Sequence, residues 1–557
     1  MADRRTLFRG RCEFDDPALA ALARGADPAS PWQQALGAGM QTLLAITQSA
    51  RGEFAVGVAD AQGRAFLAVD RFAAQTLCFA VRQGRLHFAE RADQFGPGAE
   101  LDPEALFDYL YFHAIPSPRT VWRGVHRLPP GHCAWFEDGR LSVAPYWTAR
   151  FDEPRAASFG VLRDAFRGHL KAAVARQLDG SKPACFLSGG TDSSTVAGMI
   201  GEVTGQPAAT YSIGFEAEGY DEMAYARIAA QHFGCEHHEY YVTPDDLVRS
   251  IAEVAAHHDQ PFGNSSALPA YYCARKARED GVTRLLAGDG GDELFGGNSR
   301  YAKQRVFGWY GRLPAALRSG VMEPVFGLPL VARSPGLKKG SSYVEQARVP
   351  MPDRLQMYNL LLRLGLGEVL EPGFLAQVDA ESPARQQREV WARSADASEI
   401  NRMLAFDWRY TLAESDLPKV RGSTQLAGVE VGYPFLDPAL VDFSLGLPSD
   451  YKLKGLKLRW FFKEALRGFL PDQIINKRKQ GFGLPFGVWA NRHAALHELA
   501  TDSLHGLAQR GVVRPAFIGR LLQTHLPTHP GYYGEMVWIL MMMEQWLRHH
   551  ARSWRSS

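Results

Sequence analysis

Residues 188–194 read SGGTDSS, directly after the apolar run ACFL and before a segment with helical spacing. A buried strand that ends in Gly-Gly before a helix exposes backbone N–H groups in one concavity, and the helix dipole there favours an anion. The serine hydroxyls add donors, and Asp192 has the right chemistry to hold a Mg²⁺ that neutralises phosphate oxygens. We therefore predict a site for Mg²⁺-bound pyrophosphate. The alternative is an ordinary tight turn with a helix cap.

A second glycine-rich segment, GDGGDELFGG at residues 288–297, follows VTRLLA, which is predicted to be another strand. It places Asp289, Asp292 and Glu293 within five positions. Carboxylates that repel each other at the end of a strand are expected where a metal ion or a substrate amine lies between them. The alternative is a solvated acidic turn.

The elements around these segments predict two domains. Residues 1–150 contain short apolar runs such as FAVGVAD and AFLAVD, which are typical of strands, and PEALFDYLYF has helical spacing. Beyond a boundary near residues 145–158, strand and helix patterns alternate, which predicts a parallel sheet flanked by helices in residues 151–557. The chain is mostly helical from about residue 301, and LKKGSSY at residues 337–343 is predicted to be a mobile loop.

Composition excludes several classes of protein. The 557 residues carry a net charge of only +2, which gives no reason to expect a nucleic acid or a membrane as partner. The six cysteines form no CxxC pair, which fits a reducing cytosol and disfavours a zinc site. The amino-terminal segment is charged, and the apolar run at Met536 is too short to span a bilayer. We expect a cytoplasmic protein.

These motifs together resemble the asparagine synthetase superfamily along nearly the whole chain. SGGTDSS is similar to its pyrophosphate loop, YSIGF (211–215) to its adenine-side strand and GDGGDELFGG to its second loop. Its carboxyl-terminal signatures are similar to VEVGYPFLD (429–437), FKEALRGFLP (462–471) and RKQGFGLPFGVW (478–489).

The resemblance implies an α/β fold with two parts. The first is an Ntn-amidohydrolase-like αββα domain, and the second is an adenine-nucleotide α-hydrolase-like ATP pyrophosphatase domain with a helical extension. The implied reaction activates a carboxylate as an acyl-adenylate with ATP and Mg²⁺, and an amine then displaces AMP to give an amide.

Residue roles follow from this resemblance and from charge. Asp192 and Asp292 would hold Mg²⁺, and Lys463 matches the family's lysine on pyrophosphate. Asp289 and Glu430 are predicted to orient or deprotonate the amine. The predicted ATP-binding residues are Leu187, Ser188, Gly189, Gly190, Asp192, Ser193, Ser194, Ser212, Gly214 and Gly288.

The amino-terminal part departs from the family pattern. Glutamine-dependent members have an N-terminal catalytic Cys, whereas residue 2 here is Ala and Cys12 follows an ordinary charged stretch. The segment NGEIYN has no counterpart before Gly52, although GEFAVGVADAQGRAFLAVD resembles the core of the glutaminase domain. We therefore expect a degenerate amidohydrolase domain without glutaminase activity.

Two further departures concern the acyl substrate. Gly432 stands where asparagine synthetases commonly carry an Arg, so a cation that could meet a substrate carboxylate is lost. Gln260 and Asn264 replace acids of the family motif. Aspartate is therefore doubtful as the substrate, and a small-molecule or peptide carboxylate stays open.

The amine donor is also left open by the sequence. It could be free ammonia, the product of a separate partner, or an amine within the substrate, as in the β-lactam synthetases and lasso-peptide cyclases, and a homodimer is not excluded. A nucleotide-binding scaffold without catalysis would predict damage at the ATP site, yet Asp192, Asp292 and Lys463 are present. Pyrophosphatases that thiolate tRNA or form argininosuccinate share the SGG.DS motif alone.

Overall fold

The computed structural model describes residues 6–96, 100–153, 158–326, 338–477 and 483–556. The first part of the chain forms two antiparallel sheets, and the second forms a parallel sheet with helices packed on it. This is the predicted mixed α/β architecture. The last strand of the first part ends at Pro145 and the first long helix of the second begins at Phe159, so the predicted boundary at residue 150 lies between them.

The first part contains eight strands in two sheets. The larger sheet has the order β1-β2-β3-β7-β8 and the smaller has the order β5-β4-β6. The strands are β1 (Thr6–Gly10), β2 (Phe54–Ala59), β3 (Ala65–Val69), β4 (Cys78–Arg82), β5 (Arg85–Ala89), β6 (His126–Arg127), β7 (His132–Glu137) and β8 (Arg140–Pro145). The helices are Pro17–Ala23, Ser30–Ala35, Met40–Ser49 and Pro103–Phe112, with 3₁₀ turns at Leu36–Ala38 and Ala92–Phe95.

Successive side chains of β2 point to opposite faces of the larger sheet and pack against different layers. Val56 and Val58 pack against Trp32 of the helical layer, whereas Ala55 faces the smaller sheet. Gly57 lies on that second face, where a Cβ atom would come within 2.7 Å of the ring of Phe88. The two sheets therefore pack closely against each other, and the helices cover one outer face.

The second part is built on five parallel strands in the order β11-β10-β9-β12-β13. The strands are β9 (Ala184–Phe186), β10 (Ala209–Phe215), β11 (Glu236–Val242), β12 (Arg284–Leu286) and β13 (Glu430–Gly432). Helices cover both faces: Cys185 and Leu286 contact one layer, and Ala184 and Leu285 contact the other. The flanking helices are Phe159–Gln177, Thr191–Thr204, Met223–Phe233, Pro244–His257, Ala267–Glu279 and Gly291–Phe295.

From residue 299 the described chain is mostly helical. A hairpin of β14 (Leu453–Lys454) and β15 (Lys457–Leu458) interrupts it. The α-helices are Ser299–Gly311, Ala315–Leu317, Glu323–Phe326, Lys338–Arg348, Leu360–Leu364, Leu366–Val369, Pro372–Leu375, Ser382–Ala392, Glu399–Asp407, Leu417–Ala427, Pro438–Leu445, Ser449–Lys452, Trp460–Ala465, Asp472–Asn476, Phe486–Ala490, Ala494–Gln509, Pro515–Arg520, Leu526–Thr528 and Pro530–His550. Tighter 3₁₀ turns lie at Asp353–Gln356 and Pro434–Leu436, and wider π-helical turns at Arg318–Met322, Trp408–Asp416 and Leu521–His525.

Two sequence expectations are settled in this region. The mobile loop predicted at residues 337–343 is wrong from residue 338 onward, because residues 338–348 form a helix whose Val344 packs against Phe307. Residue 337 lies outside the described residues. The glycine and serines at 340–342 are tolerated there because tertiary packing outweighs their weak helix propensity. The apolar run at Met536 lies in the buried helix Pro530–His550. No helix among the described residues is both long enough and apolar enough to cross a bilayer.

The two parts are joined by buried polar contacts. Glu53, directly before β2, accepts hydrogen bonds from the side chain of Gln177 at 2.8 Å and from the N–H of Tyr433 at 3.3 Å. Arg127 pairs with Glu414 at 2.6 Å, and both side chains are buried. Because a buried polar group that loses its partner is costly, these contacts fix the two parts against each other.

The E53Q protein is expected to lose a pH dependence of stability that the wild type shows. Burial raises the pKa of Glu53 from 4.5 to about 7. The folded chain therefore retains a proton that the unfolded chain releases, so this contribution is complete below pH 4.5 and is lost as pH rises through about 7. Melting temperatures from about pH 5 to pH 8 should fall for the wild type relative to E53Q. E498Q, at an exposed glutamate, is the control, and parallel curves for wild type and E53Q would contradict the assignment.

Candidate functional site

The two glycine-rich segments lie beside each other at one edge of the parallel sheet. They follow β9 and β12, which are neighbours, and the chain order of the strands reverses between these two. Open α/β sheets bind ligands at the carboxyl ends of their strands where this reversal occurs. At Gly288 a Cβ atom would lie 2.9 Å from the backbone nitrogen of Ser193. Both predicted loops therefore belong to one site.

The loop after β9 keeps its shape through its own hydrogen bonds. The N–H of Ser188 donates to the Ser193 hydroxyl at 3.1 Å, and the N–H of Gly190 donates to the Ser188 hydroxyl at 3.3 Å. Gly189 has φ +67°, and a Cβ atom there would overlap the backbone nitrogen of Ala226. Only glycine fits this position, and the helix Thr191–Thr204 begins directly after Gly190 with its N-terminus at the loop.

The remaining predicted nucleotide-binding residues support this loop from the sheet. Leu187 is buried, and its carbonyl accepts a hydrogen bond from the hydroxyl of Ser212. Gly214 lies under Tyr241, whose ring would be 2.5 Å from a Cβ atom at that position. Ser194 is fully buried, and its hydroxyl has no hydrogen-bond partner in the described part of the chain. Direct contact of these residues with a nucleotide stays a prediction.

The loop after β12 turns into the short helix Gly291–Phe295. The carbonyl of Asp292 accepts hydrogen bonds from the N–H groups of Gly296 and Gly297, at 2.9 and 2.8 Å. The carbonyl of Glu293 accepts one from the indole of Trp408 at 2.9 Å. These backbone contacts fix the direction in which the acidic side chains leave the loop.

Asp192 and Asp292 meet at one guanidinium, which belongs to Arg459. Its Nη1 lies 2.8 Å from Asp192 Oδ2 and 2.7 Å from Asp292 Oδ1. The structure thus brings together the two carboxylates that were predicted to share a cation. Arg459 was missed in the sequence, although it lies only four residues before Lys463.

Lys463 lies one turn after Arg459, on the helix Trp460–Ala465. Burial lowers its pKa, and the charge of Arg459 lowers it further, against the opposing effect of Asp292 and Asp192. Within the described residues its ammonium has no ion-pair partner within 4 Å. It is therefore a cation beside the two loops that is available to a ligand.

Asp289 has partners that sequence reasoning did not identify. Its Oδ1 lies 3.4 Å from the ammonium of Lys419, which is 3.0 Å from Asp416 Oδ1. Burial raises the pKa of Asp289, whereas the charge of Lys419 lowers it. Lys419 follows the π-helical turn Trp408–Asp416, a feature that often accompanies functional sites. The lysine therefore favours the ionised form of Asp289 in a buried place.

Removal of the Lys419 charge is expected to shift the pH dependence of catalysis upward. In K419M the pKa of Asp289 should rise, so a reaction that needs ionised Asp289 should lose about tenfold or more at pH 7 and recover partly at pH 9. Rates from about pH 6 to pH 9 measure this shift. K171M, at an exposed lysine, is the control. A uniform loss at every pH would show that Lys419 does not act through Asp289.

Glu430 does not join this site. It is the first residue of β13 and pairs in register with Arg284, the first residue of β12, so it lies at the amino end of the sheet while Asp289 follows the carboxyl end. Its carboxylate pairs with Arg284 at 3.0 Å and with Arg11 of the first part at 3.3 Å. The predicted pairing of Glu430 with Asp289 is corrected: a position within the VEVGYPFLD motif does not show which end of a strand the residue occupies.

Lys477 is a third cation that the sequence did not single out. Its ammonium lies 3.4 Å from the carbonyl of Gly189, 2.9 Å from Glu222 and over the ring of Tyr225. It therefore contacts the first loop directly. The motif RKQGF that follows, residues 478–482, lies outside the described residues.

The positions that depart from the acyl-substrate pattern are all engaged within the protein. At Gly432 a Cβ atom would overlap the side-chain oxygen of Gln177 and lie 2.7 Å from the guanidinium of Arg284, so a side chain there would displace both groups. Gln260 bonds the backbone of the first part at Ile115 and Val121, each at 3.4 Å. Asn264 donates to the Ser415 hydroxyl at 3.0 Å.

Comparison with known proteins gives two family matches. The asparagine synthase family model matches residues 165–548, and the glutamine amidotransferase domain model matches residues 36–147. Asparagine synthetase (glutamine-hydrolyzing) 1 of Bacillus subtilis is 26% identical over 76% of this chain and 66% of its own length. This chain therefore spans just under two thirds of that relative.

Two further relatives extend this picture. A Mycobacterium tuberculosis protein that carries an asparagine synthetase name is 28% identical over 90% of this chain and 77% of its own length. Amidase chyE of Penicillium rubens is 24% identical over 82% of this chain and 73% of its own length. Relatives with different names thus share both parts of the chain.

Proposed function

Because the chain belongs to the asparagine synthase family, we propose that it is an ATP-dependent ligase that activates a carboxylate and joins it to an amine. The products would be an amide, AMP and pyrophosphate. The observation that carries this proposal is the meeting of Asp192 and Asp292 beside a glycine-rich helix N-terminus, with Lys463 next to them. Carboxylates, backbone N–H groups and a cation in one place suit a metal-bound polyphosphate.

The donors fit Mg²⁺. Asp192 and Asp292 reach the same nitrogen of Arg459, so one cation can contact both carboxylates. The described residues contain no cluster of three or more His, Cys, Asp or Glu side chains that could hold a metal. Mg²⁺ usually takes only one or two protein carboxylates and completes its shell with phosphate oxygens and water. When bound, it would neutralise charge on the phosphates during attack at the α-phosphorus.

The chain's own groups would do the rest. The N–H groups at the start of the helix Thr191–Thr204 would bind phosphate oxygens, and Lys463 would stabilise negative charge that develops as pyrophosphate leaves. Asp289, whose ionised form is favoured by the charge of Lys419, would orient the amine or accept its proton when it attacks the activated carboxyl group.

We propose that the enzyme does not hydrolyse glutamine with a cysteine. A nucleophilic cysteine needs an accessible thiolate with a lowered pKa. In the first part, burial raises the pKa of the Cys12 thiol to about 12 and that of Cys133 to about 11, and it raises the pKa of Cys78 as well. These three thiols therefore have the character of structural cysteines, and the amine would come from free ammonia, a partner's product or the substrate itself.

The acyl substrate is proposed to be a carboxylate other than aspartate. An arginine at position 432 would have to displace the side chains of Gln177 and Arg284, which occupy the space around Gly432. A cation that could select a second carboxylate is therefore missing at this position. Closure of a ring within one substrate is the second form that the same residues could support.

The test is pyrophosphate release from ATP by the purified protein. Reactions contain Mg²⁺ and a panel of carboxylates, each with ammonium, glutamine or neither. Release that depends on ammonium and ignores glutamine supports an intermolecular ligase without glutaminase, and release with a single carboxylate-amine compound supports ring closure. Release that depends on glutamine would contradict the proposal that the enzyme has no glutaminase activity. Absence of release with every substrate and amine, in protein shown to be folded, would overturn the ligase.

A further inference from the structure

Arg459 is enclosed between the two loops of the site. Besides Asp192 and Asp292, its Nη1 lies 2.8 Å from the Thr191 hydroxyl, and its Nη2 also contacts Asp192. The residue is only 5% exposed. Its guanidinium packs over the ring of Phe462, with the central carbon 4.0 Å from the ring centroid. A charge so enclosed is stable only with ionised partners.

Glycines of the second motif make room for this arrangement. At Gly291 a Cβ atom would overlap Asp192 Oδ1 and lie 3.3 Å from Arg459 Nη2. At Gly297 it would overlap Asp292 Oδ1 and lie 2.8 Å from Arg459 Cδ. The motif GDGGDELFGG therefore clears space for the guanidinium and both carboxylates, and not only for a ligand.

The backbone of Arg459 has an uncommon conformation. It has φ +53° at the residue before the helix Trp460–Ala465. The left-handed region is uncommon for a residue with a Cβ atom and persists where surrounding contacts impose it. Here the contacts are the carboxylates of the two loops, so backbone strain and charge pairing are coupled at one residue.

We propose that Arg459 is a positioning residue that holds Asp192 and Asp292 together when no divalent cation is bound, and that Mg²⁺ competes with its guanidinium for the same oxygens. Two carboxylates this close repel each other without a cation between them. Arg459 would offset the repulsion between Asp192 and Asp292 in the metal-free protein, and bound Mg²⁺ would offset it in the metal-bound protein. The competition half of the inference rests on the proposed function, since that function supplies the metal.

The test is thermal stability with and without millimolar Mg²⁺, which needs no turnover. R459M should melt several degrees below the wild type in the absence of metal, because breaking a buried ion pair is strongly destabilising. Mg²⁺ should restore much of this loss, whereas the wild type should change little. R459K, which keeps the charge, should be intermediate. R459M/D292N should melt above R459M, because removing one carboxylate relieves the repulsion.

The outcomes separate this inference from the proposed function. The role of Arg459 would be overturned if R459M had the melting temperature of the wild type and Mg²⁺ did not change it. This holds even if the enzyme releases pyrophosphate. The expected Mg²⁺ rescue in a protein that releases none would leave this role standing and overturn only the ligase. If R459M does not fold, R459K decides: its melting temperature should rise with Mg²⁺ more than that of the wild type, and an equal response would contradict the competition.

Discussion

Replacement of Asp192 by asparagine should lower pyrophosphate release by about a thousandfold or more, and additional Mg²⁺ should not restore it. An amide oxygen is a weak ligand for Mg²⁺, and it cannot offset the metal's charge as a carboxylate does. Asp192 is one of only two carboxylates that meet at Arg459 among the described residues, so the site has little redundancy.

Stability controls separate this effect from damage to the fold. In D192N the amide oxygen can still accept one hydrogen bond from Arg459, and Asp292 stays paired with it, so the variant should fold with a lower melting temperature. Its activity is therefore measured well below that temperature. D164N, at an exposed aspartate that pairs only with Arg163 in the described residues, should keep full activity. Pyrophosphate release by D192N within a few-fold of the wild type would remove Asp192 from the metal site.

Replacement of Lys463 by methionine should lower kcat by about a hundredfold while the KM for ATP changes by about threefold or less. The lysine has no ion-pair partner among the described residues, and both burial and Arg459 disfavour its charge in the absence of ligand. A charge that is poorly satisfied in the free enzyme gains most when negative charge develops next to it. Its effect should therefore appear in the transition state more than in substrate binding.

The control for this variant is K457M, at an exposed lysine of the neighbouring hairpin. K463R should recover part of the rate, because it keeps the charge but not the geometry of an ammonium. Equal losses in kcat and in ATP affinity would show that Lys463 contributes to binding alone. Unchanged kinetics would place the critical cation elsewhere, and Lys477 would be the next residue to replace.

Local patterns predicted the parallel sheet and its loops because each strand and turn is encoded within a few residues. Leu247, Ile251 and Val254 share the buried face of the helix Pro244–His257, as their spacing indicates. The adjacency of SGGTDSS and GDGGDELFGG could be inferred only through the resemblance. Their separation by about a hundred residues carries no local signal, and strand order alone brings them together.

The errors have a common physical origin. Glu430 was placed in the site because its motif was recognised, but a motif does not encode the end of the strand on which a residue lies. Arg459, Lys419 and Lys477 were missed because a basic residue usually faces solvent. Their significance depends on long-range contacts with the loops.

The hydrogen bond from the N–H of Tyr433 to Glu53 predicts what removal of the first part would do to the second. Tyr433 leads into the turn Pro434–Leu436, and the side chain of Leu436 packs against Gly290 of the second loop. The first part thus holds, through Glu53, a turn that packs against the acidic loop. Excision of residues 1–150 would leave the N–H of Tyr433 without its acceptor, Glu53, and the turn would lose this contact. The first part therefore contributes to the support of the acidic loop, whatever chemistry it carries out itself.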